Sequence, residues 1–324
     1  MNLLVNSPRR AMLALLLGTA AFLASCGGGT QVEPFQPTRV LAFGDENSVI
    51  TAQGSKYTVN GLKTDANGVK TLDCDVNALW VQRLASGFGL LFPDCNPNAV
   101  ADLRSRIYAE AGDKKVADLA AQVAQHLQTD TFSSKDLVTM FVGQNDVLAQ
   151  YAQYPGVPKA QLLSNVYEAG LALARQVSLV ADSGGKVLVS TVPDLAYSPF
   201  AIAENTDTGD STRGALLGEL VAKFNEGLRV GIAQESGEQV AIMLTDELVQ
   251  AMAKFPVSYG GMTNVIAPVC DKTLAATVDL CTTDTLVTDG DALKYLWADD
   301  RHLSPNGHIY LGSLAGNRSR ANPF

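Results

Sequence analysis

Near the carboxyl end of this 324-residue chain, the stretch WADDRHLSPNGHIYLG (297–312) holds two of its three histidines. Asp299 stands three residues before His302, so one short turn can present a carboxylate and an imidazole to the same cleft, the acid fixing the tautomer of the base. Three other stretches end apolar runs in small or polar groups: Gly44-Asp45-Glu46-Asn47, Ala111-Gly112-Asp113 and Gly143-Gln144-Asn145-Asp146. A glycine lets backbone approach closely, and the Asn145 amide is a neutral donor that does not compete as a base. A base held by an acid, facing neutral N–H donors, is equipment for moving a proton while a negative oxygen is stabilised. Glu46 is the odd member, a carboxylate at the end of RVLAFGD among those neutral donors.

These residues need a scaffold that brings distant stretches together. Short apolar runs bounded by turn residues read as buried parallel strands at 39–44, 106–112 (the weakest), 136–146, 186–195 and 239–248. Between them, apolar residues recur at three- and four-residue steps over 77–90, 116–128, 162–184 and 211–236. Strands alternating with helices imply an α/β fold: a three-layer α/β/α sandwich around a doubly wound, mainly parallel, five-stranded sheet of flavodoxin-like type. Ligands of such sheets bind beyond the carboxyl ends of the strands, where the four stretches above converge. Residues 55–75, with a hairpin at Asn60-Gly61 or Asn67-Gly68, and residues 255–292 read as elaborations over the sheet. No phosphate-binding glycine loop is present, and Glu46 would repel a phosphate at the first helix.

In order and spacing the blocks FGDENS, YAEAG, GQND and DDRHLSPNGH resemble those of the SGNH (GDSL-type) hydrolases, a family of esterases and lipases. The resemblance implies a serine nucleophile at the start of the first helix, His302 as base and Asp299 as its orienting acid. It implies an oxyanion hole from the backbone N–H of position 46, the Gly112 N–H and the Asn145 amide. It also implies a small-molecule, glycan or lipid ester as substrate, with neither metal nor organic cofactor. His308 stands in the structural part of the last block, and His126 lies on a helix face without a signal.

The chain departs from the family at the nucleophile, where Glu46 replaces serine. Three readings follow. Ser48 takes over, although a helix turns it about 200° away from position 46. Alternatively Glu46 acts as base or direct nucleophile beside His302, as paired carboxylates do in glycoside hydrolysis. Or Glu46 silences the site, because a helix N-terminus, oxyanion donors and an imidazole all favour an anion. The last leaves a binding module in an esterase's cleft.

The first residues read as an export signal. Arg9 and Arg10 precede the apolar run AMLALLLGTAAFLA, too short to span a bilayer, and Leu23-Ala24-Ser25-Cys26 is similar to a bacterial lipobox. This divides the chain into a signal peptide (1–25), a lipidated Cys26 with a glycine-rich tether (26–37) and the hydrolase-like domain (38–324). Gly27 rather than Asp after Cys26 points to the outer membrane, facing the periplasm, with attachment by the lipid anchor only. Losing residues 1–25 removes two arginines and no acid, taking the net charge from −9 to −11, which disfavours nucleic acid as a partner. Cys74, Cys95, Cys270 and Cys281 then remain, an even number in an oxidising compartment. Of three possible pairings the local ones, Cys74–Cys95 and Cys270–Cys281, are expected. The cysteine spacings do not suit a metal.

Overall fold

The first apolar run forms β1 (Arg39–Gly44), and both of its faces are covered. Leu41 and Phe43 enter one hydrophobic cluster while Val40 and Ala42 enter a second on the opposite side. A strand buried on both faces reads as a continuous apolar run because alternation has no polar side to show. The computed structural model describes residues 34–235 and 239–321, and Phe35–Phe324 form one compact unit.

After β1 come β2 (Gly61–Thr64), β3 (Lys70–Asp73), α1 (Trp80–Ser86), β4 (Arg106–Ile107) and α2 (Val116–Thr129). Next are β5 (Asp136–Phe141), α3 (Gln144–Tyr151), α4 (Lys159–Asp182), β6 (Lys186–Ser190), α5 (Pro199–Asp207) and α6 (Arg213–Glu235). The chain continues with β7 (Val240–Met243), α7 (Thr245–Lys254), β8 (Asn264–Pro268), β9 (Tyr295–Trp297) and α8 (Pro305–Ser319). The main sheet has the order β4-β1-β5-β6-β7, with every adjacent pair parallel. One cluster packs α2, α3, α4 and α6 on the sheet, and the other packs α1, α7 and α8 on its reverse. The result is the expected three-layer α/β/α sandwich.

Several boundaries move. The weak strand at 106–112 shrinks to Arg106–Ile107, because from Tyr108 the backbone hydrogen-bonds Ala42 and Gly44 and then peels into a loop. The strands expected over 136–146 and 239–248 stop at Phe141 and Met243, and their polar ends open α3 and α7 instead. In the 55–75 stretch the hairpin turns at Asn67-Gly68, where the Asp65 carboxylate accepts two backbone N–H groups and Gly68 has a φ of 82°. Both local cystines are formed, Cys74–Cys95 and Cys270–Cys281. The expected signal peptide, Cys26 and most of the expected tether lie outside the described residues.

A third, smaller cluster sits apart from the sheet: Val59, Val269, Cys270, Ala275, Val278, Cys281, Ala292 and Ala298. It gives the cap built from 255–292 a core of its own.

Helices α4 and α6 approach closely because each presents a glycine to the other's backbone. A Cβ on Gly170 would lie 2.1 Å from the Phe224 carbonyl oxygen, and one on Gly227 would lie 2.3 Å from that of Tyr167. We therefore expect Gly170→Ala to force these helices apart and cost about 1–3 kcal/mol. Urea unfolding should show a lower midpoint with an unchanged slope.

Candidate active site

Everything at the site hangs from the end of β1. Gly44, with a φ of 139°, leaves no room for a side chain, since a Cβ there would lie 1.9 Å from the Phe141 carbonyl oxygen. The Gln122 side chain of α2 clamps this glycine, accepting from its N–H and donating to its carbonyl at 2.8 Å each. The next N–H, that of Asp45, donates to Phe141 on β5. Asp45 then caps a single 3-10 turn, Glu46–Ser48, accepting from the Asn47 backbone and amide. The turn is buried throughout.

The Glu46 carboxylate points at the residues the motifs nominated. Asn145 Nδ2, at the start of α3, donates to both of its oxygens, at 3.0 and 3.2 Å. His302 Nε2 lies 3.5 Å from Oε1, an ion-pair contact rather than a hydrogen bond. On the other side of the ring, Nδ1 pairs with Asp299 Oδ2 at 2.8 Å, while Asp299 Oδ1 accepts the backbone N–H groups of Arg301 and His302. Glu46, Asn145 and His302 are each at most 3 % exposed. The structure thus draws Asp299, His302, Glu46 and Asn145 into one line.

Gly112 lies in the adjoining loop with a φ of 95°, and among the described residues it makes no hydrogen bond to Glu46. That loop is fastened to the line at two points: Asn145 Nδ2 also donates to the Lys114 carbonyl, and the Asp146 carboxylate accepts the Val116 N–H. Ser48 is fully buried and its Oγ has no hydrogen-bond partner, so it does not engage His302. His308 is buried and accepts from the Trp80 N–H, and His126 meets the Tyr108 hydroxyl inside an aromatic cluster.

Charge follows from these contacts. Burial alone would lower the His302 pKa, but the charge and hydrogen bond of Asp299, reinforced by Glu46, push it up to about 10. Burial would raise Asp299; the imidazolium and two backbone N–H donors hold it down to about 2. Glu46 likewise resists its burial, lowered by His302, by Asn145 and by its own backbone N–H. Asp45, fully buried beside the Glu46 charge, is driven well above the carboxylate range. Two consecutive buried carboxyls are therefore shifted in opposite directions, Asp45 up and Glu46 down. His308, by contrast, is pushed down to about 3 by burial and by the charges of Arg83, Lys56 and His302.

Some site residues gave no sequence signal. Lys56 is fully buried, its ammonium donating to the carbonyls of Cys74, Val76 and Asn77, and burial lowers its pKa to about 8. It anchors the segment that sets Tyr57 beside the His302 ring, centroids 5.8 Å apart. A lone lysine in a polar stretch looks like a surface residue, since burial is a tertiary fact.

These shifts carry a testable consequence. NMR should find His302 protonated through pH 9 and His308 neutral down to about pH 4. Glu46→Gln should move the His302 midpoint downward. Because the folded value exceeds the unfolded one of about 6.5, the stability this ion pairing supplies is complete below pH 6.5 and disappears as pH rises through about 10.

Known proteins resemble the chain at two levels. The GDSL-like lipase/acylhydrolase family matches residues 40–315. Among solved structures, a lipolytic protein of the G-D-S-L family from Veillonella parvula is 13 % identical, covering 86 % of this chain and 95 % of its own, with a TM-score of 0.41. A lipase from a goat rumen metagenome is 13 % identical over 88 % of this chain and 99 % of its own, with a TM-score of 0.46. A catalytic mutant of an acetylxylan esterase from Geobacillus stearothermophilus is 12 % identical over 89 % and 96 %, with a TM-score of 0.43. No curated protein matches. With a family match spanning most of its length and ending on the helix behind the His302 turn, the chain belongs to the GDSL-like lipases and acylhydrolases.

Proposed function

We propose that this protein is an ester-recognising member of its family in which Glu46, standing for the nucleophilic serine, keeps the hydrolytic site silent. The observation that carries this reading is the seat of the Glu46 carboxylate, held through both oxygens by Asn145 and facing His302 at 3.5 Å. In the family's chemistry the Asn145 amide and the N–H of position 46 serve the developing oxyanion of an ester. Here a permanent anion draws on both. With Asp299, the larger influence, it holds His302 as an imidazolium, which has no lone pair with which to take a proton.

Attack by the Glu46 carboxylate itself is the poorer account. A carboxylate is a weak nucleophile towards a carboxylic ester, and its product would be a mixed anhydride needing further hydrolysis. Ser48 lacks the hydrogen bond to a base that a serine nucleophile requires. The ligand on this reading is the acyl ester of a glycan or lipid, and the protein is a lipoprotein held at the outer membrane through Cys26, facing the periplasm. Metabolic palmitate labelling that is lost in Cys26→Ala supports the anchor; labelling that persists overturns it.

The decisive substitution is Glu46→Ser. It should raise hydrolysis of p-nitrophenyl acetate over the parent on the order of 10²-fold or more, as restoring a nucleophile and freeing an oxyanion hole would. Asp299→Asn in that background should take most of the gain away. A parent that already turns the ester over well, and loses the activity in Glu46→Ala, defeats the silent-site reading.

A further inference from the structure

Beside the His302 turn opens a cleft of about 330 Å³, lined by Tyr57, Cys270, Lys272, Ala275 to Asp279, and Asp299 to His302. One wall is the loop closed by the Cys270–Cys281 bond, and this wall is tied down on two sides. The Cys270 N–H donates to Ala298, the residue before Asp299, while the Asn60 backbone and amide donate to Cys281 and the amide also reaches the Asp279 carbonyl. The separate cap cluster, with Val278, Ala275 and the cystine packed on Ala298 and Val59, sits behind it. The wall is therefore a built surface whose position is referred directly to the catalytic turn.

Its chemistry is specific. The lining carries Lys272, Arg301 and the His302 imidazolium against Asp279, Asp299 and Asp300, so the charges cancel. Several are not engaged by other side chains. Lys272 and the Asp279 carboxylate have no side-chain partner among the described residues, and the closest carboxylates to Arg301, on Asp113 and Asp300, are 4.0 Å away. Arg301 Nε is buried without a hydrogen bond. The Tyr57 ring supplies the one aromatic face. The two leucines of the loop, Leu274 and Leu280, are about 60 % exposed and take no part in the lining.

We propose that the Cys270–Cys281 loop and Tyr57 form a subsite for the alcohol side of the ester, and that this alcohol is a neutral sugar rather than an alkyl chain. This rests on the preceding reading of the site as ester-recognising. Ammonium, guanidinium and carboxylate groups of balanced charge donate to and accept from vicinal hydroxyls by charge-assisted hydrogen bonds, and a ring packs on the tyrosine. An alkyl chain in the same place would strip water from those groups without replacing it. A charged ligand would leave half of them facing like charge. The volume lies at the small end for ligand sites and suits one or two sugar rings, not a long extended chain.

The test compares two acetates that differ only in the alcohol, O-acetylated cellotriose and hexyl acetate, by calorimetry on the whole protein. The sugar ester should bind at least about tenfold more tightly, and Lys272→Ala, Asp279→Ala and Tyr57→Ala should each remove about tenfold of that affinity, while Lys159→Ala on the far helix leaves it unchanged. Lys272 is exposed and Asp279 half-buried, and neither side chain bonds within the described residues, so loss of fold does not confound them. Equal or tighter binding of hexyl acetate, or affinities indifferent to the three substitutions, overturns the subsite. Unacetylated cellotriose separates the two proposals. If it binds in a Lys272-dependent way while Glu46→Ser fails to hydrolyse any acetate, the subsite stands and the silent-site reading falls. If Glu46→Ser hydrolyses both acetates with equal efficiency, the reverse holds.

Discussion

A carboxylate buried without water must be answered by donors or by charge, and at Glu46 it is answered by both. Asp299, His302, Glu46 and Asn145 form an alternation of anion, cation, anion and neutral donor, with contacts of 2.8, 3.5 and 3.0 Å. Each member makes its neighbour tolerable. Without Glu46, His302 would face a neutral cleft; without His302, two buried carboxylates would stand uncompensated, at a cost of several kcal/mol. Asp45 fits the same rule from the other side. Its complete burial, and then the adjacent Glu46 charge, push its pKa up against the Asn47 donors and the more distant His302.

The fold contributes by making that alternation rigid. The Glu46 turn follows a glycine clamped through both its backbone groups by Gln122 and pressed against Phe141. Asn145 is the second residue of α3, two after Gly143, whose φ of 118° turns the chain from strand to helix, and the same turn fastens the Gly112 loop through Lys114 and Val116. The His302 turn is steadied by Asp299, which closes on two backbone N–H groups before it reaches the ring. Side chains held by hydrogen bonds on their far sides lose little entropy when they meet, so contacts of this kind can exist in a cavity lined with polar groups.

Much of this was legible in the sequence, for reasons that can be stated residue by residue. Val40 to Phe43 announced a doubly covered strand because parallel sheets bury both faces, and the alternation of such runs with periodic helices fixed the layers. The convergence of Asn145 and position 46 followed from their places after strands, and that of Asp299 and His302 from the family block that their turn resembles. Less visible were features that depend on what lies across space. YAEAG is too short and too polar to declare where its strand ends, and pairing with β1 supports only two residues of it. The polar ends of β5 and β7 carry helix starts because α3 and α7 pack on the sheet, a tertiary preference that local apolar counting misses. Lys56 and Tyr57 sat in a stretch read as an elaboration. Nothing in one sequence says that a lysine will bind three carbonyls in the interior, or that a tyrosine will be carried to the imidazole by it.

The identity of residue 46 matters through the base as much as through the missing hydroxyl. Suppose a serine were present nearby, as Ser48 is, and could be brought to the ester. It would still need an imidazole free to accept its proton, and an imidazole with a pKa near 10 is free in fewer than about one molecule in a hundred at pH 7.5. On the proposed reading, a carboxylate at this position stands where a nucleophile would, draws on the Asn145 amide and adds to the hold that Asp299 already has on the imidazolium. On that reading a serine at 46 supplies the hydroxyl, frees the Asn145 amide and takes one of two carboxylates from His302, whereas a hydroxyl elsewhere does only the first. Asp299 and His302 also line the neighbouring cleft, so the same turn belongs both to the Glu46 line and to the wall beside it.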